Sequence, residues 1–304
     1  MPRDDKTEVI MPQYYTGKIA KSDRIDFLKD TLYAKMPEIE SDRAVLITES
    51  YKATEGEPII IRRAKAFKHI LENIPITIRD RELIVGSATI HPRSCQVFPE
   101  YSFEWLEKEF DTVATRTADP FYIADETKKT LHEVYKYWKG KTTSELATSY
   151  MSAETLTAMA HNMFTPGNYF YNGIGHVTVD YGKILAGGFS ALINEVKEEL
   201  AVTKVGDADY CRKHAFLEAL VMSYEAAVNY AKRYSRLAKE LADKEANPIR
   251  REELLLISKN CDRVPEYGAT NFYEACQSFW FIQMLLQVES SGHSISPGRF
   301  DQYM

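Results

Sequence analysis

Cysteine is scarce and scattered. Cys95, Cys211, Cys261 and Cys276 are the only four, with no C-x-x-C pair, so neither a zinc knuckle nor an iron–sulfur ligand set can be assembled from sequence neighbours. Such usage fits a reduced, cytoplasmic protein. A long uninterrupted apolar run is missing as well: Phe279 to Val288 is broken by Gln283 and Gln287, and the polar start Met1-Pro2-Arg3-Asp4-Asp5-Lys6 leads to no apolar signal core. The chain therefore reads as neither secreted nor membrane-spanning. There is no basic excess. The net charge is -6, and Lys and Arg nearly always have Asp or Glu beside them, which argues against a nucleic-acid partner. The pairs Arg62-Arg63 and Arg250-Arg251 read as solvated helix faces. Internal repeats, low-complexity tracts and Pro/Gly/Ser linkers are absent, so no domain boundary is drawn. With no G-x-S-x-G elbow, Walker loop or paired-carboxylate signature, a hydrolase or nucleotide enzyme has no support.

What remains is a core-forming composition, 44% apolar and 27% charged. Three helix starts come in series: Ser22-Asp23 before Ile25, Phe27, Leu28 and Leu32; Ser41-Asp42 before Ala44, Val45, Leu46 and Ile47; Pro58 before Ile59, Ile61, Ala64, Phe67 and Ile70. The alternating, β-branched stretches Ile74 to Ile78 and Leu83 to Gly86, with Arg79-Asp80 between them, predict a hairpin or short strand pair. Helical spacing returns at Tyr101–Phe110, Asp125–Trp138 and Ser152–Met163. It returns again at Tyr181–Leu200, Asp209–Asp243, from Pro248 to about Asn260, and in an apolar core helix at Asn271–Val288.

Two segments carry polar groups that a plain core does not need. Between Thr165 and Tyr181 the helical period vanishes, and Gly167, Gly173 and Gly175 are interleaved with Asn168, Tyr169, Phe170, Tyr171 and Asn172, followed by His176. A histidine in such a loop can give or take a proton near neutral pH. On spacing alone it reads first as a histidine satisfying a buried backbone group. The second segment, Glu289 to Asp301, leaves the apolar helix through Gly292-His293-Ser294. His293 and Ser294 can both bind hydroxyls, although a capped turn explains them too. Together these features suggest a pocket wall for a small polar molecule.

Longer stretches resemble the glycyl radical enzymes of the pyruvate formate-lyase superfamily: Glu49 to Pro58, His69 to Ile76, Glu82 to Gly86 and Phe98-Pro99-Glu100. Gly140 to Tyr150, Asn168 to Tyr181 and Glu289 to Tyr303 resemble more specifically the coenzyme-B12-independent glycerol and propane-1,2-diol dehydratases. The resemblance covers nearly everything after about residue 18.

It implies an α/β fold, the amino-terminal part of a ten-stranded barrel wrapped by helices and mostly helical over this stretch. Residues 1–304 would form the front of a pyruvate formate-lyase-like domain that stops before the catalytic cysteine and the glycyl radical region. By resemblance, His176 is the catalytic residue that gives a proton to the departing hydroxyl, and Asn168, His293 and Ser294 hold the substrate. No metal or directly bound cofactor is implied. The family's glycyl radical is installed by a radical SAM activating enzyme, and the full-length form is a homodimer.

The activity implied is that of a carbon–oxygen lyase converting a small diol to an aldehyde and water. No cysteine here lies in the family's Cys-x-Glu setting, so the chain alone is expected to be inactive, and the four cysteines read as small buried side chains. The alternatives are a glycyl radical lyase acting on choline, isethionate or hydroxyproline, or a non-catalytic truncated subunit that binds a partner chain. A quaternary ammonium site would favour aromatic or carboxylate contacts over His and Ser.

Overall fold

The computed structural model describes residues 22–165, 171–173 and 175–304. Helices dominate them. α1 (Asp23–Tyr33), α2 (Asp42–Ala53) and α3 (Ile59–Asn73) follow the three sequence signals. Short strands β1 (Ile39–Glu40) and β2 (Cys95–Gln96) pair in parallel, Ile39 opposite Cys95 and Glu40 opposite Gln96. Then come α4 (Glu104–Glu109), α5 (Asp125–Trp138), α6 (Thr143–Ser149) and α7 (Ala153–Ala160). The second half holds α8 (Tyr181–Val202), α9 (Tyr210–Lys244), α10 (Pro248–Arg263), α11 (Phe272–Ser290) and α12 (Phe300–Tyr303). None of these helices is long and apolar enough to cross a membrane.

Local chemistry sets many of the boundaries. Thr142 and Glu145 form a reciprocal capping box at α6. Asn247 accepts from the Ile249 and Arg250 amides ahead of α10, where Pro248 fills the first turn. Asp180 accepts from the Lys183 amide to open α8, and Asn271 does the same for Glu274 at α11.

The core is organised on α9. Ala226, Tyr230, Tyr234, Ala238 and Ala242 are all buried, one stripe at helical spacing whose alanines let α3, α8 and α10 approach closely. The two tyrosines keep a polar task inside that stripe. Tyr230 donates to the Ser87 carbonyl at 2.9 Å, and the Ser87 amide donates to the Tyr234 hydroxyl at 3.0 Å.

The hairpin expected over 74–86 does not form. Residues 75–79 and 85–87 run without strand pairing, and the helices serve their backbone instead. The Val85 amide donates to Gln277 Oε1 at 2.9 Å, Gln277 Nε2 donates to the Val85 carbonyl at 2.7 Å, and Trp280 Nε1 donates to the Gly86 carbonyl at 2.8 Å. Ile74 and Val85 are buried, at 1% exposure each, but against helices rather than a partner strand.

α8 is broken at Gly188, where φ is 69° and ψ 179°. The chain 265–269 inserts there: the Phe189 and Ser190 amides donate to the Pro265 and Glu266 carbonyls, and the Ala269 amide donates to the Leu185 carbonyl. A Cβ on Gly188 would lie 2.3 Å from the Glu266 carbonyl oxygen, so only glycine fits.

Two further readings need correction. Cys211 is exposed and only Cys261 is fully buried; burial pushes the Cys95 thiol up to about 11 and raises Cys261 further. Arg62, Arg63 and Arg250 are half-buried network members rather than solvated.

Candidate functional site

The two polar segments meet. The His176 amide donates to the His293 carbonyl at 2.9 Å, and the Ser296 amide donates to the Val177 carbonyl at 2.8 Å. A parallel bridge joins Thr178 to Ser296. Glycine permits this approach: a Cβ on Gly175 would stand 2.2 Å from the His293 carbonyl oxygen, and one on Gly173 1.6 Å from that of Ser290. The pairing turns two loops, 117 residues apart in sequence, into one wall.

The histidine rings touch across it. Nε2 of His176 lies 3.0 Å from Nε2 of His293, with the rings edge to face at 4.7 Å between centroids. At that distance one ring supplies the N–H and the other the lone pair, so the two imidazoles hold one proton between them. His176 is exposed and His293 half-buried.

The backbone is strained where these side chains leave it. His176, Ser291 and Ser294 have φ of 55°, 50° and 57°, three of the seven non-glycine residues with positive φ among the described residues. Each such conformation costs about 1–2 kcal/mol, and it clusters where a site must hold side chains in set directions. Ser291 is the left-handed cap of α11, its amide bonded to the Gln287 carbonyl. Exposed Ser294 follows His293 directly. Asn168, the remaining substrate-holding residue expected from sequence, lies outside the described residues.

Supporting residues escaped the sequence reading. Gln283, met there as a break in an apolar run, donates from Nε2 to the Ile295 carbonyl at 3.3 Å and accepts from the Tyr181 hydroxyl at 2.6 Å. Burial pushes the Tyr181 phenol up to about 12, so it remains a donor. On the other flank, fully buried Arg43 and the adjacent Arg63 reach the last carbonyls of α11 and share Glu100. Burial by itself would raise the Glu100 carboxyl, but Arg43 outweighs it and holds the group below the usual carboxylate range.

A cleft of about 960 Å³ runs past Trp280, Met284 and Gln287 to Ser291 and Gly292. An apolar one of about 590 Å³ ends at Glu289 on the other side of α11. Neither is lined by His176 or His293. Among the described residues no cluster of three His, Cys, Asp or Glu could hold a metal ion.

Comparison with known proteins gives this wall a context. The model of the family described as pyruvate formate lyase-like matches residues 16–304. The chain is 33% identical over 305 residues to the (2S)-3-sulfopropanediol dehydratase of Klebsiella oxytoca, covering 99% of this chain and 37% of the relative. A solved structure concerned with 1,2-propanediol dehydration in Roseburia inulinivorans is 63% identical with a TM-score of 0.92, covering 95% of this chain and 34% of that one. The glycerol-bound B12-independent glycerol dehydratase of Clostridium butyricum is 55% identical with a TM-score of 0.92, covering 95% of this chain and 37% of that one. The chain thus spans little more than a third of the length of these relatives.

Proposed function

The chain belongs to the pyruvate formate lyase-like family, and we propose on that footing that it forms the diol-holding amino-terminal part of a glycyl radical dehydratase. The reaction is elimination of water from propane-1,2-diol or glycerol to give an aldehyde, a carbon–oxygen lyase activity. The observation that carries this reading is the proton-sharing contact of His176 with His293, 3.0 Å between Nε2 atoms. Hydroxide is a poor leaving group, and a histidine that holds a proton beside a bound diol can pass it to the departing C2 oxygen as the C–O bond breaks. His293, Ser294 and Asn168 bind the diol's hydroxyls and fix a small, flexible substrate in one pose.

The similarity to the propanediol and glycerol dehydratases, at 63% and 55% identity, supports a neutral diol.

The radical-bearing glycine and cysteine belong to the rest of such an enzyme and supply the hydrogen-atom transfer. The ten-stranded barrel, the homodimer, the radical SAM activating enzyme and a cytoplasmic setting belong to the same proposal. The test is His176→Ala in a chain extended through the radical-bearing regions, where kcat on propane-1,2-diol should fall about 100- to 10,000-fold, the range for loss of a positioned acid. The glycyl signal in electron paramagnetic resonance should be unchanged. Normal kcat with that diol, alongside better turnover of choline or another substrate, would overturn both the substrate and the role of His176.

A further inference from the structure

We infer that Arg43 is a positioning residue for the histidine pair, acting through the carboxy-terminal carbonyls of α11; the inference rests on the diol-site reading above. Arg43 sits on α2, far from His293 in sequence, and is 1% exposed. Its guanidinium lies over the Phe98 ring, 3.7 Å from the centroid, and each of its three nitrogens donates a hydrogen bond. Nε donates to the Val288 carbonyl at 2.7 Å, and Nη2 donates to the Glu289 carbonyl at 3.1 Å. Nη1 and Nη2 also donate to the two Glu100 oxygens at 3.1 and 2.7 Å.

Those two carbonyls belong to the last turn of α11, where a helix has no partners of its own for its carbonyls. Arg63 adds a second donor to the Glu289 carbonyl at 2.9 Å and pairs with the Glu289 carboxylate. Four residues beyond Glu289 the chain reaches His293 by way of the left-handed Ser291 and buried Gly292. The span between the clamp and His293 is too short to absorb a shift at the helix end. Carbonyls fixed from α2 therefore fix the ring that faces His176.

A flat guanidinium is needed for this. Lysine keeps the charge, but a single ammonium cannot serve two carbonyls and both oxygens of a carboxylate at those separate points. Gln96 Oε1 and the Arg43 amide, 3.0 Å apart, pin the start of α2 to β2, so the clamp is built from a fixed base.

The test is Arg43→Lys in this chain, with two local readouts. One is the scalar coupling between the two Nε2 nitrogens across their hydrogen bond, measured on histidine-labelled protein. The other is hydrogen exchange at the His176 and Ser296 amides, which close the pairing of the two segments. The coupling should disappear, and those amides should exchange about 10- to 100-fold faster, the factor for one or two lost charge-assisted bonds. Buried α9 amides should keep their protection. A global structural role would instead raise exchange throughout α9.

A folded Arg43→Lys protein with coupling and both amides at native values would overturn the inference. If Arg43→Lys does not fold, Arg63→Met decides: Arg63 is 27% exposed, and losing its bond to Glu289 should loosen the same two amides to a smaller degree. No change there would overturn the inference equally. These readouts need no turnover, so loss of the diol reading would leave them standing, and a diol-active enzyme with an unmoved histidine pair would defeat the positioning role alone.

Discussion

Gly175→Ala should part the two halves of the site while leaving the fold intact. The added Cβ would sit 2.2 Å from the His293 carbonyl oxygen and 2.9 Å from the His293 amide nitrogen. The two nearest atoms belong to the His293 backbone and cannot turn aside as its ring can, so the segments must separate until the contact reaches about 3.4 Å, a shift of roughly 1 Å. The 2.9 Å bond from His176 to the His293 carbonyl then lengthens towards about 4 Å, beyond hydrogen-bonding range. The imidazole pair, now 3.0 Å apart, opens with it. Two bonds at about 1 kcal/mol each are lost at the surface of the core, so the thermal midpoint should fall by no more than about 5 °C. A misplacement of roughly 1 Å at reacting groups costs about 100-fold in rate, and the same substitution in an enzyme extended through the radical-bearing regions should lower kcat by that order. Nuclear magnetic resonance of the two histidines and exchange at the His176 amide measure the separation directly. Gly206→Ala, whose Cβ would meet nothing within 4 Å, is the silent control. A Gly175→Ala protein with the coupling between the rings intact would refute the reasoning.

Gly188→Ala should cost about 3–4 kcal/mol, combining a backbone region reserved for glycine with two displaced hydrogen bonds, and lower the thermal midpoint by roughly 6–12 °C; a midpoint within a degree or so of the native one would count against the insertion of 265–269 into α8. Glu100→Gln should destabilise the chain by about 3–5 kcal/mol near pH 7, since Arg43 and Arg63 lose their shared counter-charge. Because the Glu100 carboxyl titrates below its unfolded value, its contribution is complete above the unfolded value of about 4.3 and is lost as pH falls through the folded one. Urea titrations of both proteins should therefore converge in that acid window, and a gap that stays constant down to pH 2 would contradict the sign.

Helices with strong local signals were legible. The spacing of Leu131, Val134, Tyr135 and Trp138 predicts a helix over Asp125–Trp138, and the structure has it over those residues. Asp180 and Pro248 mark the starts of α8 and α10 for chemical reasons visible in the sequence. The failure at 74–86 has an equally specific cause. Alternation of β-branched residues reports burial on one side and does not identify the backbone's hydrogen-bond partners, here Gln277, Trp280, Tyr230 and Tyr234, between 143 and 194 residues away. The Gly187-Gly188 pair hides its break for a similar reason: the inserted carbonyls come from 265 and 266.

The site divides along the same line. Composition alone marked the two polar segments, because Gly, His and Ser at the exit of an apolar helix are unusual company for a core. The glycine and aromatic spacing around His176 and the polar turn at His293 point to one shared concavity, and the resemblance to diol dehydratases adds their roles, but the backbone bonds that join the two segments show only in the structure. Least legible was the apparatus that holds them. Arg43 follows Asp42 in what reads as an ordinary first turn, and Arg63 as half of a surface pair, yet both end on carbonyls of α11 some 226 to 246 residues later. A cation buried at 1% exposure is unfavourable unless it is fully paired, and here that pairing ties the helical layer of α2 and α3 to the turn that carries His293. A proton shared between two imidazoles depends on ring separation to a few tenths of an ångström, so the polar cluster that stability alone could replace with apolar packing has its reason in the precision of the neighbouring wall.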